Sequence, residues 1–296
     1  VESPETYRVD GRDIRLTHLD KVFWPNGTTK GDVLAYYMAV APAMLPYIEG
    51  RPLSFTRWPD GVQGKSFYQK NPPSGTPEWI PTSLEHKTRH LLVNDRATLA
   101  FLVQLGVIEV HMPLSRADDM EHPDFAVIDL DPTPPAGFEE ARRVAMVVRE
   151  ALDHLGLRGY PKFSGETGIH IFLPIHRDLT SREVEAAMRR LGKVAALALP
   201  DLVTLERRVA RRSGVYFDYG QNAPTRTMAA PYSLRPNENA AVSCPVTWDE
   251  VHLAWPQGFT IRSVPRRLAM GNDAWAGIFA HPQDITRLEE LRLQHI

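Results

Sequence analysis

The chain has 296 residues, 43% hydrophobic and 24% charged, a balance that excludes disordered, collagenous and membrane-spanning classes and suits a soluble globular protein. No apolar run approaches the roughly 18 residues of a membrane span, no signal peptide opens the chain, and the single cysteine, Cys244, rules out an internal disulfide and fits a reducing cytoplasm. A net charge of −2 and a pI near 6.6 supply no global field for nucleic acid, so any such contact must come from local patches. Arg207, Arg208, Arg211 and Arg212 form one candidate patch, and Arg51, Arg57, Lys65 and Lys70 another; a solvated charged face is the competing reading of each.

The chain opens on valine rather than methionine, as a segment of a longer protein would. Its length suits two small domains or one domain of two lobes, and no repeat suggests a solenoid. A first helix is expected after Thr29, with Asp32 in its first turn, an apolar stripe of Val33, Tyr36, Tyr37 and Val40, and an interruption at Pro42. Residues 50–80, rich in Gly, Pro and isolated aromatics, read as short strands and loops. Asn94 is placed to cap a second helix carrying Leu99, Leu102 and Val103 and closed by Gly106.

The centre of the chain is the most regular. Phe125–Asp131 reads as a strand and Phe138–Leu155 as a helix whose inward face is Ala141, Val144, Ala145, Val148, Leu152 and Leu155. Tyr160–Phe163 and Ile169–Ile175 read as a hairpin around Ser164-Gly165-Glu166-Thr167-Gly168. A helix follows Thr180, with Glu183 completing a capping box and Val184, Met188, Leu191 and Ala195 facing inward. Val215–Tyr219 and Thr227–Leu234 are expected as strands, and a last helix near Ile285–Leu293. This alternation without a linker suggests an α/β or α+β body.

The chemistry lies in Ala126-Val127-Ile128-Asp129-Leu130-Asp131-Pro132. Residues 126, 128 and 130 share one face of a strand, and the other face passes from Phe125 and Val127 to Asp129 and Asp131. Two adjacent carboxylates at the end of a buried strand repel each other and resist desolvation, and a divalent cation relieves both penalties; all-oxygen ligation favours magnesium or manganese over zinc. Asp-x-Asp-Pro is also a good turn. Asp218, alternating with Val215, Phe217 and Tyr219, adds a third carboxylate, for which a cap or turn role competes with ligation. Between them, the two glycines of the Ser164–Gly168 loop allow close backbone approach to an anion, and His170 points away from the apolar face of Ile169, Ile171, Leu173 and Ile175. A plain hairpin with a satisfied histidine is the alternative.

Taken together, Asp129-Leu130-Asp131-Pro132, Ser164-Gly165-x-x-Gly168-x-His170, Asp218 and Ala230-Pro231-Tyr232-Ser233-Leu234-Arg235 follow the motif order of the polymerase domains of bacterial ligase D, which belong to the archaeo-eukaryotic primase superfamily, and the chain resembles them along nearly its whole length. Leu16–Lys21, Gly27–Lys30, Arg57-Trp58-Pro59-x-Gly61 and Glu109-Val110-His111-Met112-Pro113 are further matches. The resemblance implies a two-lobed α/β fold built on a sheet like that of RNA-recognition motifs. It divides into a 1–115 lobe with DNA-end contacts, a 116–245 catalytic core and a 246–296 packing segment. Asp129, Asp131 and Asp218 would hold two divalent cations, Mn²⁺ or Mg²⁺. Ser164, His170 and Arg235 would hold the triphosphate, with Arg211 and His111 close to the nucleotide. Phe67 and Tyr68 would stack on the template, although as strand neighbours they face opposite ways and one is expected in the core. Lys21 and Lys30 would take the 5′-phosphate across a gap.

The implied activity is extension of DNA 3′ ends with nucleoside triphosphates, ribonucleotides preferred, in non-homologous end joining, with Ku and a DNA ligase as partners. The sequence departs from the family at Glu166 and Thr167, where relatives are often basic, and at His18, where an Asn is familiar. A ligase Lys-x-Asp-Gly motif is absent. Two other readings compete: a metal-dependent glycosyltransferase using Asp-x-Asp, and a catalytically silent DNA-end-binding module.

Overall fold

A computed structural model describes residues 5–291. In chain order the elements are β1 (Glu5–Val9), β2 (Arg12–Leu16), α1 (Lys30–Ile48), β3 (Ser54–Arg57), β4 (Phe67–Gln69), β5 (Thr82–Glu85), β6 (Thr88–Leu91), α2 (Arg96–Gln104) and β7 (Val107–Met112). There follow β8 (Phe125–Thr133), α3 (Phe138–His154), β9 (Tyr160–Phe163), β10 (Ile169–Pro174), α4 (Ser181–Ala198), β11 (Val203–Thr204), β12 (Gly214–Phe217) and β13 (Met228–Ala229). Two short helices complete the order, α5 (Trp248–Leu253) and α6 (Ser263–Ala269).

These elements form two compact units, residues 5–113 with 227–244 and 257–273, and residues 114–226 with 245–256 and 274–291. The division departs from the three consecutive segments expected. Residues 227–244 join the first unit because β13 pairs with β7, and Gln257–Asp273 joins it because Ala241 and Val242 bond to the 259–260 backbone.

In the first unit, α1 starts where Thr29 and Asp32 cap each other and buries Val33, Tyr36, Tyr37 and Val40 as the spacing predicts. It does not stop at Pro42. Helix bonding continues through Pro42 and Pro46 to Ile48, because tertiary burial of Ala41, Met44, Tyr47 and Ile48 outweighs the proline penalty. The cap of α2 is Asp95, which accepts from the Thr98 amide, while Asn94 instead accepts from the Gly50 amide. The sheet of this unit runs β13-β7-β3-β4. Arg51 is fully buried, donating to the Tyr47 carbonyl, so it leaves the basic patch suggested by the sequence.

The second unit has strand order β11-β12-β8-β10-β9. The path β8-α3-β9-β10-α4-β12 is a βαββαβ module with antiparallel central strands, the RNA-recognition-motif-like arrangement expected. Its helices cover one face: Phe138 of α3 meets Phe163 edge-on at 5.3 Å, and Gly192 of α4 lies close against Phe217. That face is the apolar one, with Ala126, Ile128, Leu130, Ile169 and Ile171 all buried.

Three further expectations change. The strand expected at 215–219 ends at Phe217, and Asp218 caps a 3₁₀ turn over Tyr219–Asn222. Only Met228–Ala229 of the 227–234 stretch is a strand, since Tyr232 takes a φ of 67°. Near the C-terminus a 3₁₀ helix covers Ile285–Glu290, and the remainder of the helix expected to Leu293 lies partly outside the described residues. No described helix is long and apolar enough to cross a membrane.

Where β12 gives out, Asn222 replaces it. Its side chain accepts from the Val127 amide and donates to the Val127 carbonyl, both at 2.8 Å, completing the hydrogen bonding of β8 inside the core. Asn222→Ala would leave two buried backbone groups unpaired and should lower stability by about 2–4 kcal/mol. Urea unfolding measures this, and an unshifted midpoint would refute the role.

Candidate active site

Directly opposed residues of antiparallel strands share a sheet face, so the register of the second unit assembles the site. His170 on β10 faces Asp129 on β8 on one side and Lys162 on β9 on the other. The Asp218 amide bonds to the Asp129 carbonyl at 2.8 Å, which places Asp218 beside Asp129 on the remaining flank. Lys162, His170, Asp129 and Asp218 thus form one row across the sheet. One step along, Ser164, Gly168, Asp131 and Tyr216 form a second row, through the Ser164–Gly168 backbone bond and the Tyr216–Asp131 pairing. The helices cover the opposite face.

Asp129 is buried, and its Oδ1 lies 3.2 Å from His170 Nε2. Asp131 and Asp218 are half-buried. The Asp218 carboxylate accepts from the Gly220 amide at 2.9 Å and from the Tyr216 hydroxyl at 3.1 Å. Burial and the nearby Asp218 charge push the Tyr216 phenol up to about 12, so it stays a donor at neutral pH. The Arg212 guanidinium carbon lies over the Tyr216 ring, 3.6 Å from its centroid. The Asp218 carboxylate holds the turn and also stands beside Asp129 on the same sheet face, so the cap that competes with ligation in the sequence does not exclude it.

The Ser164–Gly168 loop does not open all its amides as an anion nest. Those of Glu166 and Gly168 both turn onto Ser164 Oγ at 3.1 Å. An oxygen accepting twice keeps its own proton to donate, so Ser164 offers an anion its hydroxyl. A side chain at Gly168 would begin 2.9 Å from the Leu130 carbonyl, 3.2 Å from Asp131 Oδ1 and 3.5 Å from Ser164 Oγ. The missing side chain leaves a cradle rimmed by oxygen donors, which suits a hard cation with its anionic ligand. Among the described residues, however, no three His, Cys, Asp or Glu side chains are already gathered tightly enough to hold a metal. The carboxylates share a face without forming a finished cage. Arg211 stands on an exposed 3₁₀ turn.

The first unit gathers a second group. On its sheet, β3 pairs Thr56 with Tyr68 and with Glu109, and Ser54 with His111, which puts all five on one face. The buried Glu109 joins Arg235, expected to hold the triphosphate, to His111, expected close to the nucleotide: its carboxylate lies 3.1 Å from Arg235 Nη1 and 3.6 Å from His111 Nε2. Burial alone would raise its pKa, but the hydrogen bond from His111, the charges of Arg235 and His111 and a bond from Thr56 leave it below the usual glutamate value. Tyr68 donates to Ser54 at 2.8 Å. Phe67 faces the other way, yet neither aromatic is core: they are 47% and 54% exposed, because β4 is the edge strand.

Lys21 and Lys30 meet across the turn at Asn26-Gly27, where the Lys30 amide bonds to the Lys21 carbonyl. They line a cavity of about 260 Å³ with His18, Arg57 and Gln104. Lys30 is buried, donating to the Thr17 carbonyl and to Gln104, both at 2.8 Å; burial, aided by the Lys21 charge, lowers its pKa to about 8. Lys21 donates to the Pro59 carbonyl and Asp60 at 2.7 Å. His18 takes a φ of 55°, in the left-handed region that Asn tolerates better than most residues.

Glu109, Lys162, Tyr216 and Gln104 have no assigned role in the sequence reading. Period-two alternation in Glu109-Val110-His111 already puts that pair on one face; the others depend on pairing between distant strands and loops.

The chain matches the family model described as LigD, primase-polymerase domain, over residues 29–275. It is 37% identical over 246 residues to the multifunctional non-homologous end joining protein LigD of Mycolicibacterium smegmatis, covering 80% of this chain and 32% of that protein. It is 32% identical over 275 residues to the bifunctional non-homologous end joining protein LigD of Bacillus subtilis, covering 92% of this chain and 45% of that one. The chain therefore spans less than half the length of these relatives. Among solved structures, the polymerase domain of Mycobacterium tuberculosis ligase D in complex with DNA superposes with a TM-score of 0.85 at 31% identity, covering 91% of this chain and 99% of that one.

The Glu109 cluster yields a stability prediction. Glu109→Gln keeps the shape but removes the charge between Arg235 and His111, and should cost about 2 kcal/mol at pH 7. A depressed carboxylate pKa contributes stability above its unfolded value and loses it as pH falls through the folded one. The gap between variant and parent should therefore close below the ordinary glutamate range, as unfolding curves at pH 7 and pH 3.5 would reveal; a pH-independent gap would contradict the ionic link.

Proposed function

The chain belongs to the LigD primase-polymerase domain family, and on that premise we propose that it is a nucleotidyltransferase that extends DNA 3′ ends with nucleoside triphosphates, ribonucleotides preferred. The setting would be gap filling in the non-homologous end joining of double-strand breaks, with Ku and a DNA ligase as partners. The observation that carries the reading is the pair of rows in the second unit, where Asp129, Asp131 and Asp218 share one sheet face with Ser164 and the Gly168 cradle. A glycosyltransferase reading is not favoured, since the match is to a primase-polymerase domain. A silent end-binding module has no use for this carboxylate face.

Asp129 and Asp131, joined by Asp218 on the side nearer the primer end, would hold two magnesium or manganese ions, whose shells substrate phosphates and water complete. Such ions, when bound, activate the attacking 3′-hydroxyl and neutralise charge on the leaving pyrophosphate. The protein's own share is placement. His170, 3.2 Å from Asp129, would hold the triphosphate together with Ser164, whose hydroxyl would donate toward a phosphate oxygen. Arg235 and His111, held by Glu109, and Arg211 would bind the nucleotide. Phe67 and Tyr68 offer exposed rings for template bases. Reactants held in line account for most of the acceleration in phosphoryl transfer.

Asp129→Ala, Asp131→Ala and Asp218→Ala should each abolish primer extension with either metal. Asp131→Ala should leave the melting temperature unchanged or higher, because a repelling charge is removed, whereas Asp218→Ala should lower it slightly, because the Gly220 and Tyr216 hydrogen bonds are lost. Extension at the parent rate by any of the three would sink the assignment.

The Lys21–Lys30 cavity would take the 5′-phosphate of gapped DNA, whose charge of about −2 exceeds that of an internal phosphate. An ammonium has three protons; Lys30 commits two to protein acceptors and has one for the phosphate. Gapped DNA with a 5′-phosphate should bind more tightly than the 5′-hydroxyl form, and less so in Lys21→Ala or Lys30→Ala. Only protonated Lys30 attracts the anion, so the preference should decline as pH rises from 7 to 9.5, through the value of about 8. Equal affinity for the two DNAs at pH 7 and low salt would exclude the pocket.

A further inference from the structure

Outside the site, the second unit carries an open groove of about 900 Å³ along α4. Helix geometry puts Arg182, Arg189 and Lys193 on one side of α4, seven and eleven residues from the first to the others, and all three are exposed. At 1.5 Å per residue the stripe is about 16 Å long. Arg190 fixes the opposite wall, donating to the carbonyls of Glu289 and Leu291 at 2.9 and 2.6 Å. Three acidic residues, Glu183, Glu185 and Glu289, also line the groove against the five cations Arg182, Arg189, Arg190, Lys193 and Arg207; of them, Glu183 is engaged by the amide and hydroxyl of Thr180.

The groove runs along the helix-covered side of the sheet, and one end of it reaches the sheet edge beside Asp218. Tyr219, adjacent in sequence to Asp218, forms part of its lining, and Arg189 lies over that ring at 5.6 Å. Arg207, exposed and also part of the lining, brings Nη2 within 3.4 Å of the point where a side chain on Gly220 would begin; Asp218 Oδ1 lies 3.0 Å from the same point. A row of cations thus ends beside the carboxylate expected to serve the primer end. A chain of net charge −2 can bind a polyanion only through such a local concentration.

We infer that this groove binds the phosphate backbone of the nucleic-acid strand whose 3′ end is extended, with Arg182, Arg189 and Lys193 tracking successive phosphates and Arg207 delivering the terminal nucleotide to Asp218. The inference rests on the polymerase reading. Phosphates along one strand lie at least 3.4 Å apart on the axis, so the stripe spans several of them. An acidic peptide would match the charge but has no reason to run toward the catalytic carboxylates.

The test is anisotropy of a labelled single-stranded 12-mer with a 5′-hydroxyl, titrated across salt concentrations with the parent and with Arg182→Gln/Lys193→Gln. Both positions are exposed, and unchanged melting temperatures would verify the fold. The double variant should bind about tenfold more weakly at low salt. Its log K against log salt should be shallower by about 1.4, or 0.7 for each phosphate no longer neutralised. In primer extension the KM for primer should rise and that for nucleotide stay constant. Equal affinity and slope in parent and variant would overturn the inference, as would displacement of the strand by polyglutamate at the same charge concentration. Failure of the parent to extend any primer would refute the polymerase reading, while the binding comparison would still decide what the groove holds.

Discussion

A carboxylate in the middle of a sheet is tolerated only if the sheet supplies partners for it, and Asp129 sets that requirement for the second unit. It sits on β8 between two strands, with His170 at 3.2 Å from β10 and the backbone of Asp218 bonded to its own carbonyl. The apolar residues that alternate with it are pressed against α3 and α4, so the strand cannot slip by one residue without burying Asp129 and Asp131 under the helices and exposing Ile128 and Leu130. Register is therefore strongly specified, and with it the positions of Ser164, Gly168, Tyr216 and Lys162. Asn222 secures the flank where β12 ends, bonding the Val127 backbone two residues before Asp129.

The first unit solves a related problem with one carboxylate serving a guanidinium and an imidazole. Glu109 is buried, and burial opposes its charge; Arg235, His111 and Thr56 reverse that opposition. The result holds a guanidinium and an imidazole on the same sheet face as the hydroxyls of Tyr68 and Ser54. Such a fixed array of donors is what recognition of a nucleotide's sugar and phosphates needs, because donors already in place lose little freedom on binding.

Charge is handled locally throughout. The cavity of Lys21 and Lys30 and the stripe along α4 are small concentrations of cations in a chain whose total is slightly negative. The cost of the first is visible in Lys30, whose burial beside the Lys21 charge lowers its pKa to about 8. Such patches make binding depend on where a phosphate sits rather than on how many there are, which suits recognition of a DNA end over the continuous duplex.

Much of this was legible in the sequence by itself. Period-two alternation in Ala126–Asp131 and Ile169–Ile175 assigned the faces of both central strands, Thr29 with Asp32 in the next turn and the capping box at Thr180 located two helix starts, and the motif order identified the family. These are local or near-local signals, and local backbone geometry obeys them. Where the sequence misled, tertiary packing had overridden a local rule: α1 ran through Pro42 because its far half is buried, and Arg51 was drawn inside to reach the Tyr47 carbonyl. Only the tertiary structure could decide which side chains from distant segments face one another. It set Lys162 in the row with His170 and Asp129, linked Glu109 to Arg235 across more than a hundred residues, and made Asn222 stand in for a missing strand. Those pairings depend on strand order and register, and residues far apart in the chain carry no local pattern that records them.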